Sequence, residues 1–411
     1  MRPDADTQVQ RISLAIEQVL GSDGWVNGAK IYDRRHLRKI AESMARKTAE
    51  PSRFVNQGFH NTSITECIMR QELETDPAAV VELVASIVTT GRAEVGQLKS
   101  TGLVTVDSKS LALDLESRWA TDESAANQGL RDPVGQIFDL TVTQAFWDLR
   151  SDDRLRYIYT QEAKPRTGTT GERLIKVDTK TNSRIEVTYE GAKLTIKDAF
   201  EISRMFNRTQ NGLIVHSTIV SDLNEPSITD AEQLSKAISG FHSASARPPV
   251  LIVFAGLLPG AADNSKGFDL HAVTVLQIED TYFLESRWGM NADMHLNGLT
   301  ADELLHAMTL PQTFVQEEFD TGEPPYMRVI DPSYPTPRSA RAPQHLAMQR
   351  ENEQILEIEK RAQNNPSVQA QEKYFEELEK WEAKRSEHLA IFGEDLPFTV
   401  PAPKAPSTQS V

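Results

Sequence analysis

The chain has 411 residues and a single cysteine, Cys67. One thiol excludes an intramolecular disulfide framework. Long apolar runs are also missing. The longest, Pro249 to Pro259 (PVLIVFAGLLP), is too short to span a bilayer and suits a buried strand, so no membrane partner is expected. Basic residues are in deficit: 44 Lys and Arg against 59 Asp and Glu give a net charge of −15. Phosphate neutralisation needs a basic face, so nucleic acid is not an expected partner. The opening MRPDADTQVQRISLAIEQVLG has no basic region followed by an apolar block, which argues against a Sec-type signal peptide. The expected location is the cytoplasm, or outside it by a signal-peptide-independent route. HExxH, CxxC and Walker-type loops are absent, so neither a metal nor another cofactor is expected. SDGWVNG at 22–28 shares part of a calcium loop's composition but lacks the ligand ladder and closing glutamate.

What remains is 39% hydrophobic and 25% charged, a globular profile with a polar surplus, long enough for two or three domains. Apolar spacing predicts two helices within 1–50, read as a helical N-terminal extension. Further helices are predicted from Thr62 to Leu73, from Asp76-Pro77 to Val88, over 132–149, 196–208 and 230–241. GLIVHSTIV at 212–220 reads as a strand. PPVLIVFAGLL, LHAVTVLQIED and TYFLESRWG read as three more, the last two joined by a tight turn at Glu279-Asp280. LTADELLHAM reads as a short helix with Thr300 as cap and Glu303 three residues on. A main domain over 51–325 is followed by a Pro-rich linker at 326–343. Polar helices are expected at 344–395, binding a protein partner or self-associating, and a disordered end at 396–411.

One stretch carries a candidate site: Asn56 to Met69, NQGFHNTSITECIM. Ser63-Ile64-Thr65-Glu66 fits a capping box, which places Ser63 at a helix start. Cys67 lies one turn later beside Ile64 and Ile68, where a buried cysteine acts as a small hydrophobe. A nucleophilic amide hydrolase needs an attacking group, a base beside it, a group orienting the base, and oxyanion donors. A helix N-terminus suits the nucleophile because its field lowers a thiol's pKa.

These residues resemble papain-like and calpain-like cysteine peptidases, in bacterial members of which the stretch reads like QGxxGTC. Gln57-Gly58 is followed six residues later by Ser63, where the family has its cysteine; Asn61 replaces a Gly. Two hundred residues on, His271-Ala272-Val273 resembles the family's His-bearing strand. Ser286-Arg287-Trp288-Gly289 resembles its Asn-x-Trp-Gly motif, with Ser286 for the Asn. The resemblance implies an α+β papain-like fold, with a helical lobe carrying the nucleophile helix and an antiparallel β lobe carrying the His. It implies Ser63 in the nucleophile position and His271 as base. Gln57 and the Ser63 backbone N–H would form the oxyanion hole, and Ser286 or Glu285 would orient the base. Gly58, His60 and Trp288 would belong to the substrate cleft. Taken alone, His271 also reads as a core histidine, and His60 as a solvated loop residue.

The implied chemistry is cleavage or deamidation of a peptide or protein substrate. Serine for cysteine removes most of it, because a hydroxyl stays protonated at neutral pH. Three accounts are open: an engineered Cys-to-Ser form, a natural pseudopeptidase acting as an interaction module, or a serine nucleophile. A reading of another class is an assembly protein built on the tail helices.

Overall fold

The computed structural model describes residues 4–310, apart from 59, 61, 96–102, 115–116, 119, 121–130, 151–154, 160–170, 178–183, 207–211, 221–226, 255–256, 259–269 and 286–297. Ser286, Trp288, the Pro-rich linker, the tail helices and the end expected to be disordered lie outside the described residues.

The architecture is mixed α+β. Helix α1, Ala5–Gly21, starts at Asp4, whose side chain accepts from Thr7 N. Strands β1 (Trp25–Val26) and β2 (Ala29–Lys30) form a hairpin. Its turn residues, Asn27 at φ 49 and Gly28 at φ 80, are both left-handed, as an Asn-Gly type I′ turn requires. The stretch with a calcium-loop composition is this hairpin. Helix α2, Arg34–Ala49, is capped by Asp33, and a single turn, α3, covers Pro51–Phe54.

Helix α4, Ser63–Thr75, is followed by α5, Pro77–Thr90. Asp76 caps α5, Pro77 supplies its first turn, and Gly91 ends it at φ 70. Short strands β3 (Arg92–Ala93) and β4 (Val104–Thr105) pair antiparallel. Helix α6, Pro133–Arg150, leads into an antiparallel meander of β5 (Leu155–Tyr159), β6 (Glu172–Val177) and β7 (Arg184–Glu190). Helix α7 spans Ile196–Phe206. GLIVHSTIV is a strand only over β8, Leu213–His216. There Thr218 N donates to His216 Nδ1 at 3.2 Å and the chain turns into a one-turn helix, α8, Ser217–Val220. Then come β9 (Ser227–Ile228), α9 (Ala231–Ser245), β10 (Val250–Phe254), β11 (Leu270–Ile278), β12 (Thr281–Glu285) and α10 (Ala301–Met308). Thr300 and Glu303 form the expected capping box of α10.

The main sheet has the order β12-β11-β10-β8-β9. Its β10–β11–β12 part is antiparallel, with the β11–β12 turn at Glu279, φ 55. β8 pairs parallel with both β10 and β9. The wholly antiparallel lobe expected from the sequence is therefore a mixed sheet, because β8 reaches β10 through α9 rather than through a hairpin.

Alternation along the strands divides the core. Val250, Ile252, Phe254, Leu270 and Ala272 face one cluster, with Ile64, Ile68 and Met69 of α4. Leu251, Val253, Val273 and Val275 face the other, closed by Leu234 and Ile238 of α9 and Leu304 and Met308 of α10. The sheet is thus covered on both faces, the arrangement that buries a near-continuous apolar strand such as VLIVF. The first cluster also holds Ala15 and Val19 of α1 and Leu37, Ile40 and Met44 of α2. Arg11 clamps α1 to α5 through Asp76 at 2.9 Å and Glu82 at 2.5 Å. The first fifty residues thus share one core with α4, α5 and the main sheet.

Candidate active site

A cleft of about 330 Å³ of empty space, partly open to solvent, runs along one face of α4. Ser63, Glu66, Cys67 and Arg70 form its floor; spacings of three, four and seven residues place them on one helical face. The wall opposite is β11, through His271, Ala272 and Thr274, with Glu285 of β12 at the far end. Gln57 and Asn56 close the near end.

Ser63 is the first residue of α4, and the residue before it, Thr62, makes no side-chain cap. The capping box read from Ser63 and Glu66 does not form. The helix begins one residue earlier than that motif needs, and Glu66 turns inward. Its carboxyl is buried, and neither oxygen is hydrogen-bonded among the described residues. Burial, then nearby Asp139, push its pKa well above the usual carboxylate range, which favours the neutral acid. Ser63 Oγ is left to accept from Ala272 N at 3.4 Å. Its own N–H is among the first-turn donors that have no intrahelical acceptor. Cys67 is buried as expected. Burial, then Glu66, push its thiol well above its ordinary pKa, the reverse of what a nucleophile needs.

The sequence order thus brings Gln57, Ser63 and His271 to one cleft. The finer roles divide. His271 pairs in register with Val253, which belongs to the α9/α10 side of the sheet. Ala272 pairs with Ile252 on the α4 side. The imidazole therefore starts on the far face, and Ser63 meets the strand's main chain. Gln57 Nε2 donates to the His60 carbonyl at 2.9 Å, which uses one of its two amide hydrogens.

Glu285 does not orient the base. Its Oε2 lies 3.0 Å from Arg70 Nε and its Oε1 3.2 Å from Arg70 Nη2, and Thr274 Oγ1 donates to it at 3.0 Å. The reason is register: Glu285 pairs with Thr274, on the α4 face, where Arg70 waits.

Gly58 and His60 are not part of the cleft wall. Gly58 is a buried turn residue at φ 64, its N–H donating to Asn56 Oδ1 at 3.0 Å. His60 is 1% exposed and points away into a charged cluster behind the loop. Its Nδ1 is 3.1 Å from Glu172 Oε1, and its Nε2 is 3.1 Å from Asp114 Oδ2 in a contact more electrostatic than aligned. Burial and the Arg131 guanidinium push its pKa down, but the two carboxylates outweigh them and raise it to about 9. Arg131, wholly buried, pairs with Asp114 and donates to Tyr159 Oη at 2.6 Å, with Asp139 Oδ2 at 3.4 Å. Burial opposes the charge on Asp114, yet Arg131 and His60 hold its carboxyl far below the usual range. Thr65 Oγ1 ties α4 to this cluster through Asp139 at 2.6 Å. Lys47, also buried, pairs with Asp132 at 3.3 Å.

Sequence reading missed this cluster. Arg70 carried a signal, seven residues from Ser63 on the same face. Asp114, Arg131, Asp139 and Glu172 carried none, since only the fold joins them. Among the described residues no group of His, Cys, Asp and Glu is arranged to hold a metal, and no helix is long and apolar enough to cross a membrane.

Comparison with known protein families, curated proteins and solved structures finds no match to this chain.

Proposed function

We propose that residues 51–310 carry a papain-like amide-hydrolase cleft which, with serine at position 63, holds peptide or protein substrates without turning them over. The observation that supports this is a convergence. Ser63 at the first position of α4, Gln57 six residues before it and His271 on a strand some two hundred residues later line one cleft. Ser63 sits where the helix field would favour a thiolate, and a hydroxyl there remains protonated. Gln57 and the Ser63 N–H are the donors for an oxyanion.

The deciding experiment installs Ser63→Cys and measures labelling by iodoacetamide at neutral pH, with His271→Ala in the same background as control. Fast labelling at position 63 that falls at least tenfold in His271→Ala supports a thiol-hydrolase site. A folded Ser63→Cys protein whose new thiol reacts no faster than free cysteine rejects that site.

A second reading, a non-catalytic interaction module on the same framework, is favoured by the register of β11, which turns the His271 ring from Ser63, and by the engagement of Glu285 with Arg70. In that case the Ser63→Cys thiol is indifferent to His271, and the cleft still binds peptide.

A further inference from the structure

The loop from Gln57 to Thr62 reaches the cleft on one side and the buried charged cluster on the other. His60 stands at the junction. Its carbonyl accepts from Gln57 Nε2 at 2.9 Å, and its own N–H donates to Gln57 O at 3.2 Å. Its ring nitrogens each face a carboxylate at 3.1 Å, Glu172 on β6 and Asp114 after the 3-10 turn at Ser108–Leu111. Nδ1 is hydrogen-bonded to Glu172 and Nε2 lies within ion-pair distance of Asp114, so a carboxylate stands beside each nitrogen and the arrangement favours the imidazolium. The Tyr159 ring lies 5.7 Å from the His60 ring, and Arg131 balances the carboxylates from the other side. Nothing in this arrangement touches the cleft directly. What it fixes is the peptide to which Gln57 is tethered.

We propose that His60 is the positioning residue of the candidate site: clamped as an imidazolium between Glu172 and Asp114, it holds the Gln57 carboxamide in place as an oxyanion donor. The role of Gln57 rests on the function proposed above; the clamp itself does not. A charge-paired ring anchored in three separate elements is far stiffer than a polar loop of this length on its own. An oxyanion donor has to be placed to within a fraction of an ångström before charge develops.

The test separates thiolate formation from oxyanion stabilisation. Iodoacetamide is attacked by a thiolate with loss of iodide and no oxyanion. A peptide aldehyde adds the thiolate sulfur at its carbonyl carbon, and the C=O π pair moves onto the oxygen, giving the alkoxide that Gln57 would hold. In the Ser63→Cys background, His60→Gln is expected to leave the iodoacetamide rate within threefold and to weaken peptide-aldehyde binding at least tenfold, as Gln57→Ala does. Glu172→Gln, which removes one arm of the clamp and keeps its shape, should give a smaller loss of the same kind, and serves if His60→Gln fails to fold. A merely structural His60 would move both readouts or neither. Retained aldehyde affinity in His60→Gln, where Gln57→Ala loses it, overturns the proposal while the proposed function stands.

If Ser63→Cys reacts with neither probe, the proposed function fails and the clamp is decided by hydrogen exchange in the unmodified protein. The Gly58 and His60 amides should exchange at least tenfold faster in His60→Gln, or in Glu172→Gln, than in the parent. Equal protection in a folded variant overturns it.

Discussion

Arg70 and Glu285 lie 215 residues apart and pair at the far end of the cleft: Nη2 donates to Oε1 at 3.2 Å, and Nε lies 3.0 Å from Oε2 in an ion contact that is not aligned as a hydrogen bond. Arg70 also pairs with Glu74, one turn along α4. The pair joins α4 to β12, the edge strand of the main sheet. It also holds the wall of the cleft at the end farthest from Ser63.

Both side chains are nearly buried, 6% and 11% exposed. Arg70→Ala leaves the Glu285 carboxylate with one neutral donor, Thr274 Oγ1, and should cost about 3–5 kcal/mol of unfolding free energy, whereas Glu285→Ala leaves Arg70 its pair with Glu74 and should cost less. The double variant should cost clearly less than the sum, with a coupling above about 1 kcal/mol. Urea denaturation of the four proteins measures it. Additive losses would show that the pair does not hold the wall.

Cys67 should be inert in the folded protein. Its side chain is buried, and burial holds the thiol well above its ordinary pKa, so the thiolate that reagents attack is scarce. A disulfide reagent at pH 8 is expected to titrate no thiol until denaturant is added, and then one. Rapid reaction of the native protein would mean that the cleft opens Cys67 to reagents beyond its 6% exposure.

The His60 clamp predicts an alkaline loss of stability. The folded pKa, about 9, exceeds the unfolded value of 6.5. The stabilisation is therefore complete below about pH 6.5 and disappears as pH rises through 9. Its size is on the order of 3 kcal/mol, from 1.36 kcal/mol per pKa unit. The groups facing His60 are Glu172 of β6, Asp114, Arg131 ahead of α6 and Tyr159 of β5. In urea unfolding at pH 6, 7.5 and 9.5, the advantage of the parent over His60→Gln should shrink as pH rises. A constant difference would mean the imidazolium contributes nothing.

Gly135 in the first turn of α6 has no room for a side chain. A Cβ there would lie 2.8 Å from Glu66 Oε1 and 3.0 Å from Arg131 Cγ. Gly135→Ala is expected to destabilise by about 1–3 kcal/mol, the usual cost of overpacking, and Glu66→Ala should recover part of it. Glu66→Gln, close in shape to the neutral acid that burial favours, should change stability by less than about 1 kcal/mol at pH 7. Thermal unfolding of the three variants and the double variant checks both statements. A large loss in Glu66→Gln would mean the carboxyl is ionised.

Local signals in the sequence were legible where the chemistry was local. Thr300 and Glu303 formed their capping box, Pro77 opened α5, and the Glu279-Asp280 turn closed the β11–β12 hairpin. The order Gln57, Ser63, His271 led to a single cleft. What escaped were relations that only tertiary pairing creates. Alternation along β11 was visible, but which face would meet α4 was not, so neither the direction of the His271 ring nor the capture of Glu285 by Arg70 could be read. His60 looked like a loop residue because its two carboxylates sit 54 and 112 positions away. The Ser63–Glu66 capping motif failed for a related reason: Glu66 is drawn towards α6, an element some seventy residues downstream. The Asn27-Gly28 hairpin was readable from its dipeptide and was passed over as part of a calcium-like loop.

The hydrogen bond from Ala272 N to Ser63 Oγ closes a chain segment of 209 residues. On a ribosome adding about 5–20 residues per second, α4 would be complete some 10–40 seconds before the strand it faces has been made. For that interval the floor of the cleft exists without its wall. A nascent chain therefore has no assembled site, and a chain cut short before β12 never acquires one. Whatever this cleft receives, it receives only once β12 has been made.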